Sequence, residues 1–203
     1  LNYDLTHKCN VCLKNLQVGN YTSVLAKAYD VNPVQEYPTM MELEIENTCN
    51  LECVMCIGEL SSAIRKNREK LPAIKSPYND AFVEQLEEFI PHLKELRFNG
   101  GEPFLIPVYF KLWDAIMELN PAVEIFVITN GTMLTDKIKT LLQQGKFDLA
   151  VSIDSIRKER YETIRKNADF DTVMRNLEYF NNYALGRGKH LSLSFTSQLS
   201  NWD

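Results

Sequence analysis

The sequence predicts an α/β fold built on a parallel sheet, and two observations carry the prediction. From residue 40 onward, short apolar strand-like runs alternate with helical stretches of ten or more residues. Each polar motif from residue 40 onward also falls at or directly after the carboxyl end of one of those strands, which is where parallel α/β folds gather their ligands. Crossovers this long join neighbouring strands in parallel. Periodicity alone leaves open whether the sheet is open or closed. With 203 residues, 45% of them hydrophobic and 24% charged, the chain makes one or two ordinary domains.

The organisation reads as an N-terminal segment, residues 1–39, followed by the α/β domain, residues 40–203. The first segment has weak periodicity, with Cys9-x2-Cys12, nearby His7, and a mixed helix-like stretch after Tyr21-Thr22. Pro33 and Pro38 punctuate the passage to the domain. Met41-Glu42-Leu43-Glu44-Ile45 alternates as strand one. A charged helix is expected over Leu60–Lys70 and another through Phe82, Val83, Leu86, Phe89 and Ile90, capped at Asn79 or Asp80 and stopped by Pro91. Strand two spans Leu93–Asn99. Leu112, Trp113, Ile116 and Leu119 mark the next helix, which Asn120-Pro121 ends, and Val123–Thr129 is strand three. Thr135 caps a helix closed by Gly145, and Phe147–Asp154 is strand four. A helical region broken near Asn167–Asp169 ends at Gly186 and Gly188, before strand five over Leu191–Thr196. On strand five Ser192, Ser194 and Thr196 alternate with Leu191, Leu193 and Phe195, so its polar face is expected at the cavity or at solvent.

Bulk properties exclude some functions. A net charge of −5 gives no pull toward nucleic acid or acidic membranes. No apolar run approaches a membrane span and no signal peptide opens the chain. Five cysteines at metal-type spacings fit a reducing compartment, and the expected location is cytoplasmic. The chain lacks an initiating Met and stops just after strand five, so it reads as a piece of a longer protein.

The chemistry concentrates in Cys49-x3-Cys53-x2-Cys56, directly after strand one. Three thiols at that spacing can hold three irons of a 4Fe-4S cube, with the fourth iron open to a substrate; a zinc site short of one ligand is the plain alternative. Further along stand Gly100-Gly101-Glu102-Pro103 and Thr129-Asn130-Gly131, after strands two and three, and Ser152-Ile153-Asp154, at the end of strand four. Taken singly, the first two are ordinary turn signals, and Asp154 serves equally as a helix cap.

Together the four elements resemble the radical S-adenosylmethionine (SAM) superfamily, in order the cysteine signature, GGEP, TNG and SxD. The resemblance covers residues 40–203. It implies a partial (β/α)6, TIM-like barrel with about five βα units present and the sixth strand missing. It also implies a 4Fe-4S cluster on Cys49, Cys53 and Cys56 that chelates SAM at its open iron. Reductive cleavage of SAM then yields methionine and a 5′-deoxyadenosyl radical, which takes hydrogen from a substrate. By motif, Gly100, Gly101 and Glu102 accept hydrogen bonds from the SAM ammonium. Ser152 and Asp154 hold ribose hydroxyls or the methionine carboxylate, Arg165 pairs with the carboxylate, Asn130 lines the ribose side and Met55 lies against adenine. Cys9 and Cys12 resemble the tail of a SPASM-like segment that binds an auxiliary iron-sulfur cluster. The implied substrate is a peptide or protein, with a small molecule of cofactor, sugar or secondary-metabolite synthesis as the alternative. An electron donor such as flavodoxin or ferredoxin is the implied partner. A non-catalytic iron-sulfur redox or binding module is the competing reading from another class.

Overall fold

The computed structural model describes residues 10–24 and 36–202. The chain separates into two compact units, residues 1–37 and 38–203. In the first, α1 (Asn10–Gln17) ends at Gly19, whose φ of +71° takes the left-handed turn, and a 3-10 turn follows at Tyr21–Ser23. Cys12 is a half-buried free thiol on α1. Cys9, His7 and the helix-like stretch expected within 25–35 lie outside the described residues.

The second unit carries five strands: β1 (Met40–Leu43), β2 (Glu95–Phe98), β3 (Glu124–Thr129), β4 (Lys146–Ser152) and β5 (Ser192–Ser194). They form one sheet in the order β1-β2-β3-β4-β5, every pair parallel. A doubly wound sheet reverses strand order at a switch point, whereas this sequential order is the winding of TIM-like folds. The helices are α2 (Ser62–Asn67) and α3 (Asp80–Leu86) between β1 and β2, then α4 (Pro107–Leu119), α5 (Asp136–Gln144), α6 (Lys158–Ile164) and α7 (Phe170–Gly186).

Several helix starts are set by side-chain caps, though α4 and α6 begin without one. Asn79 accepts from Phe82 N at 3.3 Å, Thr135 from Ile138 N at 3.3 Å and Asp169 from Thr172 N at 2.7 Å. Two helices are shorter than expected. α2 begins one residue after its cap, Ser61, and stops at Asn67, before Lys70 turns left-handed at φ +56°. α3 stops at Leu86, and the chain reaches Pro91 through turns and a 3-10 segment, Ile90–His92.

Alternation along the strands splits the sheet into two faces. Leu96, Phe98, Ile125, Val127, Phe147, Leu149 and Val151 face the helices and join one core with Val83 and with Tyr109, Leu112, Trp113 and Ile116 of α4. Trp113 sits fully buried among the rings of Phe98, Phe104, Phe110 and Phe147. The opposite face is more polar, with Arg97 paired to Glu95 at 2.6 Å and Lys189 bridging Glu124 and Asp148. A smaller core (Leu51, Ile153, Tyr161, Ala168, Val173) packs the cysteine loop against α6 and α7. β5 departs from expectation: it is three residues long, and Leu193 and Phe195 are exposed, while Thr196 turns into the cavity described next.

Candidate active site

The stretch from Glu46 to Cys56 leaves β1 and is held by backbone bonds on two sides. Gly101 N donates to Glu46 O (3.0 Å) and Glu102 N to Thr48 O (2.8 Å), while Glu52 N and Val54 N donate to Lys166 O and Ile164 O. The glycines are required here by crowding. A Cβ on Gly100, at φ +101°, would stand 2.7 Å from Glu46 O, and one on Gly101 would stand 2.3 Å from Thr48 O. The sequence assigns these glycines to approach of a ligand; what they accommodate in the structure is the cysteine loop itself. Ser61 and Ser62 complete the frame, with Ser61 Oγ donating to Leu51 O (2.7 Å) and Ser62 Oγ accepting from Cys49 N (3.1 Å). Cys56 N donates to Cys53 O (3.1 Å), which closes a turn between the second and third cysteines.

This frame brings Cys49, Cys53 and Cys56 to the wall of one cavity of about 360 Å³ at the carboxyl ends of the strands. Met55, Gly100, Gly101, Asn130, Ser152 and Arg165 line the same cavity. Glu44, Asn99, Thr129 and Thr196 line it too. Of these four, Glu44 could have been found from sequence, since it follows β1 two positions from Glu42 in a strand that ends at the site. Nothing in the pattern marks Asn99.

Two expected cofactor contacts lie elsewhere. Glu102 is fully buried and does not line the cavity. Its Oε1 accepts from Thr129 Oγ1 (2.7 Å) and Phe104 N (3.2 Å), and its Oε2 from Asn130 N (2.7 Å). It therefore ties the turn after β2 to the end of β3, and burial pushes its pKa up to about 7 against those hydrogen bonds. Asp154 is likewise fully buried, two residues beyond the end of β4. Its Oδ2 lies 2.8 Å from Arg165 Nε, and its Oδ1 accepts from Thr196 N at 2.8 Å. The alternation that puts Ser152 and Asp154 on one face ends with the strand, so Ser152 faces the cavity and Asp154 faces the arginine.

Asp154 thereby aims Arg165, whose Nη1 approaches Cys53 Sγ at 4.0 Å. Asn130 Nδ2 stands 3.9 Å from Cys49 Sγ and donates to Asn50 Oδ1 at 3.0 Å, while Asn50 Nδ2 donates to Thr132 Oγ1 at 2.9 Å. Burial pushes all three thiols up, Cys53 to about 11. Metal binding at these sulfurs therefore has to release protons. Among the described residues no three His, Cys, Asp or Glu side chains converge on a point that would hold one ion.

The sequence description of the radical SAM superfamily matches residues 43–195, and the chain belongs to that superfamily. It carries the radical SAM catalytic domain, whose members use a 4Fe-4S cluster and SAM. A GTP 3',8-cyclase of Clostridium botulinum (strain Okra) is 24% identical over 138 residues, covering 68% of this chain and 42% of the cyclase. A GTP 3',8-cyclase of Clostridium perfringens (strain SM101) is 26% identical over 139 residues, 68% of this chain and 41% of that enzyme. The chain thus spans less than half the length of these relatives. Among solved structures, anSMEcpe with bound AdoMet is similar at a TM-score of 0.56 and 24% identity, over 77% of this chain and 43% of that one; it is also solved with a Kp18Cys peptide. Streptococcus suis SuiB bound to S-adenosylmethionine is similar at a TM-score of 0.59 and 15% identity, over 95% and 48% of the two chains. SuiB is solved with its precursor peptide SuiA as well. No helix among the described residues is long and apolar enough to cross a membrane.

Proposed function

We propose that this chain is the radical-generating domain of an enzyme that modifies a peptide or protein, with Cys49, Cys53 and Cys56 holding a 4Fe-4S cluster and the adjoining cavity binding SAM. The observation that carries the reading is the convergence of three thiols, a guanidinium and two strand-end turns on one cavity. The residues fit the groups. A cavity of about 360 Å³ lies within the range of small-molecule sites, about 300–1,000 Å³. Three cysteines without a fourth thiol in the lining match a cube with one open iron. When bound, such a cluster supplies the electron that cleaves the SAM sulfonium and starts hydrogen abstraction from a substrate.

The protein's own part is to bind, orient and seal. Arg165, held rigid by Asp154, presents a fixed cation for the SAM carboxylate. Glu44 is the carboxylate in the lining, opposite in charge to the SAM ammonium, and Gly100 and Gly101 offer backbone beside it. Ser152 and Asn130 supply a hydroxyl and an amide for the ribose, and Met55 a thioether for adenine. Glu102 acts one layer below, by fixing Thr129 and Asn130.

The peptide reading draws on the fold relatives anSMEcpe and SuiB, both solved with peptides. The small-molecule reading draws on the GTP 3',8-cyclases. Anaerobic reconstitution tests the first step: the protein should gain a broad iron-sulfur charge-transfer band and convert SAM to 5′-deoxyadenosine under a strong reductant. Cys53→Ala should lose the band, and retention of a full cluster in that variant would overturn the ligand assignment. Stimulation of 5′-deoxyadenosine formation by GTP, and by no host peptide, would decide for the small-molecule reading.

A further inference from the structure

Helix α2 is joined to the cysteine loop at both of its ends. At the start, Ser61 Oγ donates to Leu51 O and Ser62 Oγ accepts from Cys49 N. At the other end, consecutive residues each place a side chain on the loop. Asn67 Nδ2 donates to Glu52 Oε1 at 2.9 Å. Arg68 donates from Nη1 to Cys53 O at 3.4 Å and from Nη2 to Cys56 O. Glu69 Oε1 accepts from Gly58 N at 2.8 Å. Fully buried Ile64 anchors this end, because its carbonyl accepts from both Arg68 N and Glu69 N. The loop fits the clamp closely: a Cβ on Gly58 would stand 1.9 Å from Glu69 Oε2.

Arg68 is the member of this clamp that touches the cysteines themselves. Cys53 O takes two donors, Arg68 Nη1 and Cys56 N at 3.1 Å. One planar fork therefore fastens the carbonyls of the second and third cysteines together. None of Asn67, Arg68 and Glu69 lines the cavity, so the fastening is complete without SAM. Charge adds to the geometry. The acids beside the fork are Glu52 and Glu69. Arg65 is committed elsewhere, to Glu59 at 3.8 Å and to Pro72 O, and Lys66, Lys70 and Lys166 are exposed. On the cavity side, Arg165 is balanced by buried Asp154. Arg68 is exposed too, but its guanidinium is bonded to the loop, between two carboxylates that would otherwise face the thiols uncompensated.

We propose that Arg68 is a positioning residue for the iron-sulfur site: its fork sets Cys53 and Cys56 for ligation, and its charge favours the reduced, more negative state of the loaded site. The inference rests on the assignment of Cys49, Cys53 and Cys56 as ligands. Lysine in its place keeps the charge but is a point donor that cannot bridge two carbonyls in a plane. Methionine keeps neither property. A unit charge bonded to the ligand peptides at a solvated surface changes the reduction equilibrium by about three- to tenfold. Tenfold corresponds to about 59 mV for one electron.

The test compares wild type, Arg68→Met and Arg68→Lys, each reconstituted anaerobically with iron and sulfide. The readouts are iron bound per chain, the reduction midpoint followed by electron paramagnetic resonance, and Tm before reconstitution. Because Arg68 is exposed, both variants should unfold within about 2 °C of wild type before reconstitution. Arg68→Met should hold about half the wild-type iron or less, and its reduction equilibrium should move about three- to tenfold toward the oxidised state. Arg68→Lys should also fall short in iron while recovering most of the midpoint. Full iron content in Arg68→Met would overturn the proposal. So would a midpoint within about twofold of wild type in that variant, since a residue that only supports the fold moves iron and Tm but not the potential. A wild type that takes up no cluster would bring down the ligand assignment, and the role of Arg68 with it.

Discussion

The buried pair of Asp154 and Arg165 is the joint between the fold and the site, and its removal has a calculable effect. Asp154 is fully buried and Arg165 is 8% exposed, with Nε and Oδ2 2.8 Å apart. Removing one partner of such a pair strands a charge away from water and costs about 3–5 kcal/mol. Asp154→Asn keeps an oxygen to accept from Thr196 N, so it belongs near the lower end, about 3 kcal/mol. Asp154→Ala also orphans that amide and adds roughly 1–3 kcal/mol. At about 2–4 °C per kcal/mol for a chain of this size, Asp154→Asn should lower Tm by roughly 6–12 °C. The assay is urea and thermal unfolding of Asp154→Asn, Arg165→Met and the double variant. Because the double variant strands no charge, it should be less destabilised than the sum of the singles by about 1–3 kcal/mol. Strict additivity, or an Asp154→Asn protein within about 0.5 kcal/mol of wild type, would refute the claim that this pair is desolvated and coupled.

Three other outcomes follow from the same geometry. Burial raises the Glu102 pKa to about 7 in the folded state, so the folded protein holds that proton more tightly than the unfolded chain. Stability from this group is complete below the unfolded carboxyl pKa and is lost as pH rises through about 7, on the order of 3 kcal/mol; urea unfolding at pH 5 and 8 should show the wild type losing that much more than Glu102→Gln. In Gly101→Ala the new Cβ would stand 2.3 Å from Thr48 O, so the cysteine loop must shift, at about 1–3 kcal/mol or more, and iron content after reconstitution should fall along with Tm. Tyr109 Oη lies 2.9 Å from Leu43 O and 2.8 Å from Asn99 O, and accepts from Ile45 N. Tyr109→Phe should cost about 1–3 kcal/mol in unfolding, and an unchanged protein would mean the hydroxyl does not tie the ends of β1 and β2 together.

Much of the fold was legible because its signals are local. Thr135, Asn79 and the break at Asn167–Asp169 mark helix ends through hydrogen bonds within a few residues, and all three fall where the chain implies. α3 was overestimated because helical spacing of apolar residues persists past Leu86, where the backbone leaves the helix, and α2 because its charged run continues to Lys70, which turns left-handed. β5 was overestimated for a related reason: its alternation runs from Leu191 to Thr196, but pairing with β4 stops at Ser194.

The sequence by itself determined the succession of strands and helices, the spacing of three thiols after the first strand, and the gathering of polar motifs at strand ends, since each depends on near neighbours in the chain. Only the tertiary structure decided what each motif residue touches. Past the last paired residue of a strand, alternation no longer dictates direction, so Glu102 and Asp154 turned away from the cavity while Ser152 and Asn130 faced it. The crowding that demands glycine at 100 and 101 comes from a loop more than fifty positions earlier. Arg68 likewise shows nothing in the letters of its place on the cysteine loop, which two long-range hydrogen bonds to Cys53 O and Cys56 O decide.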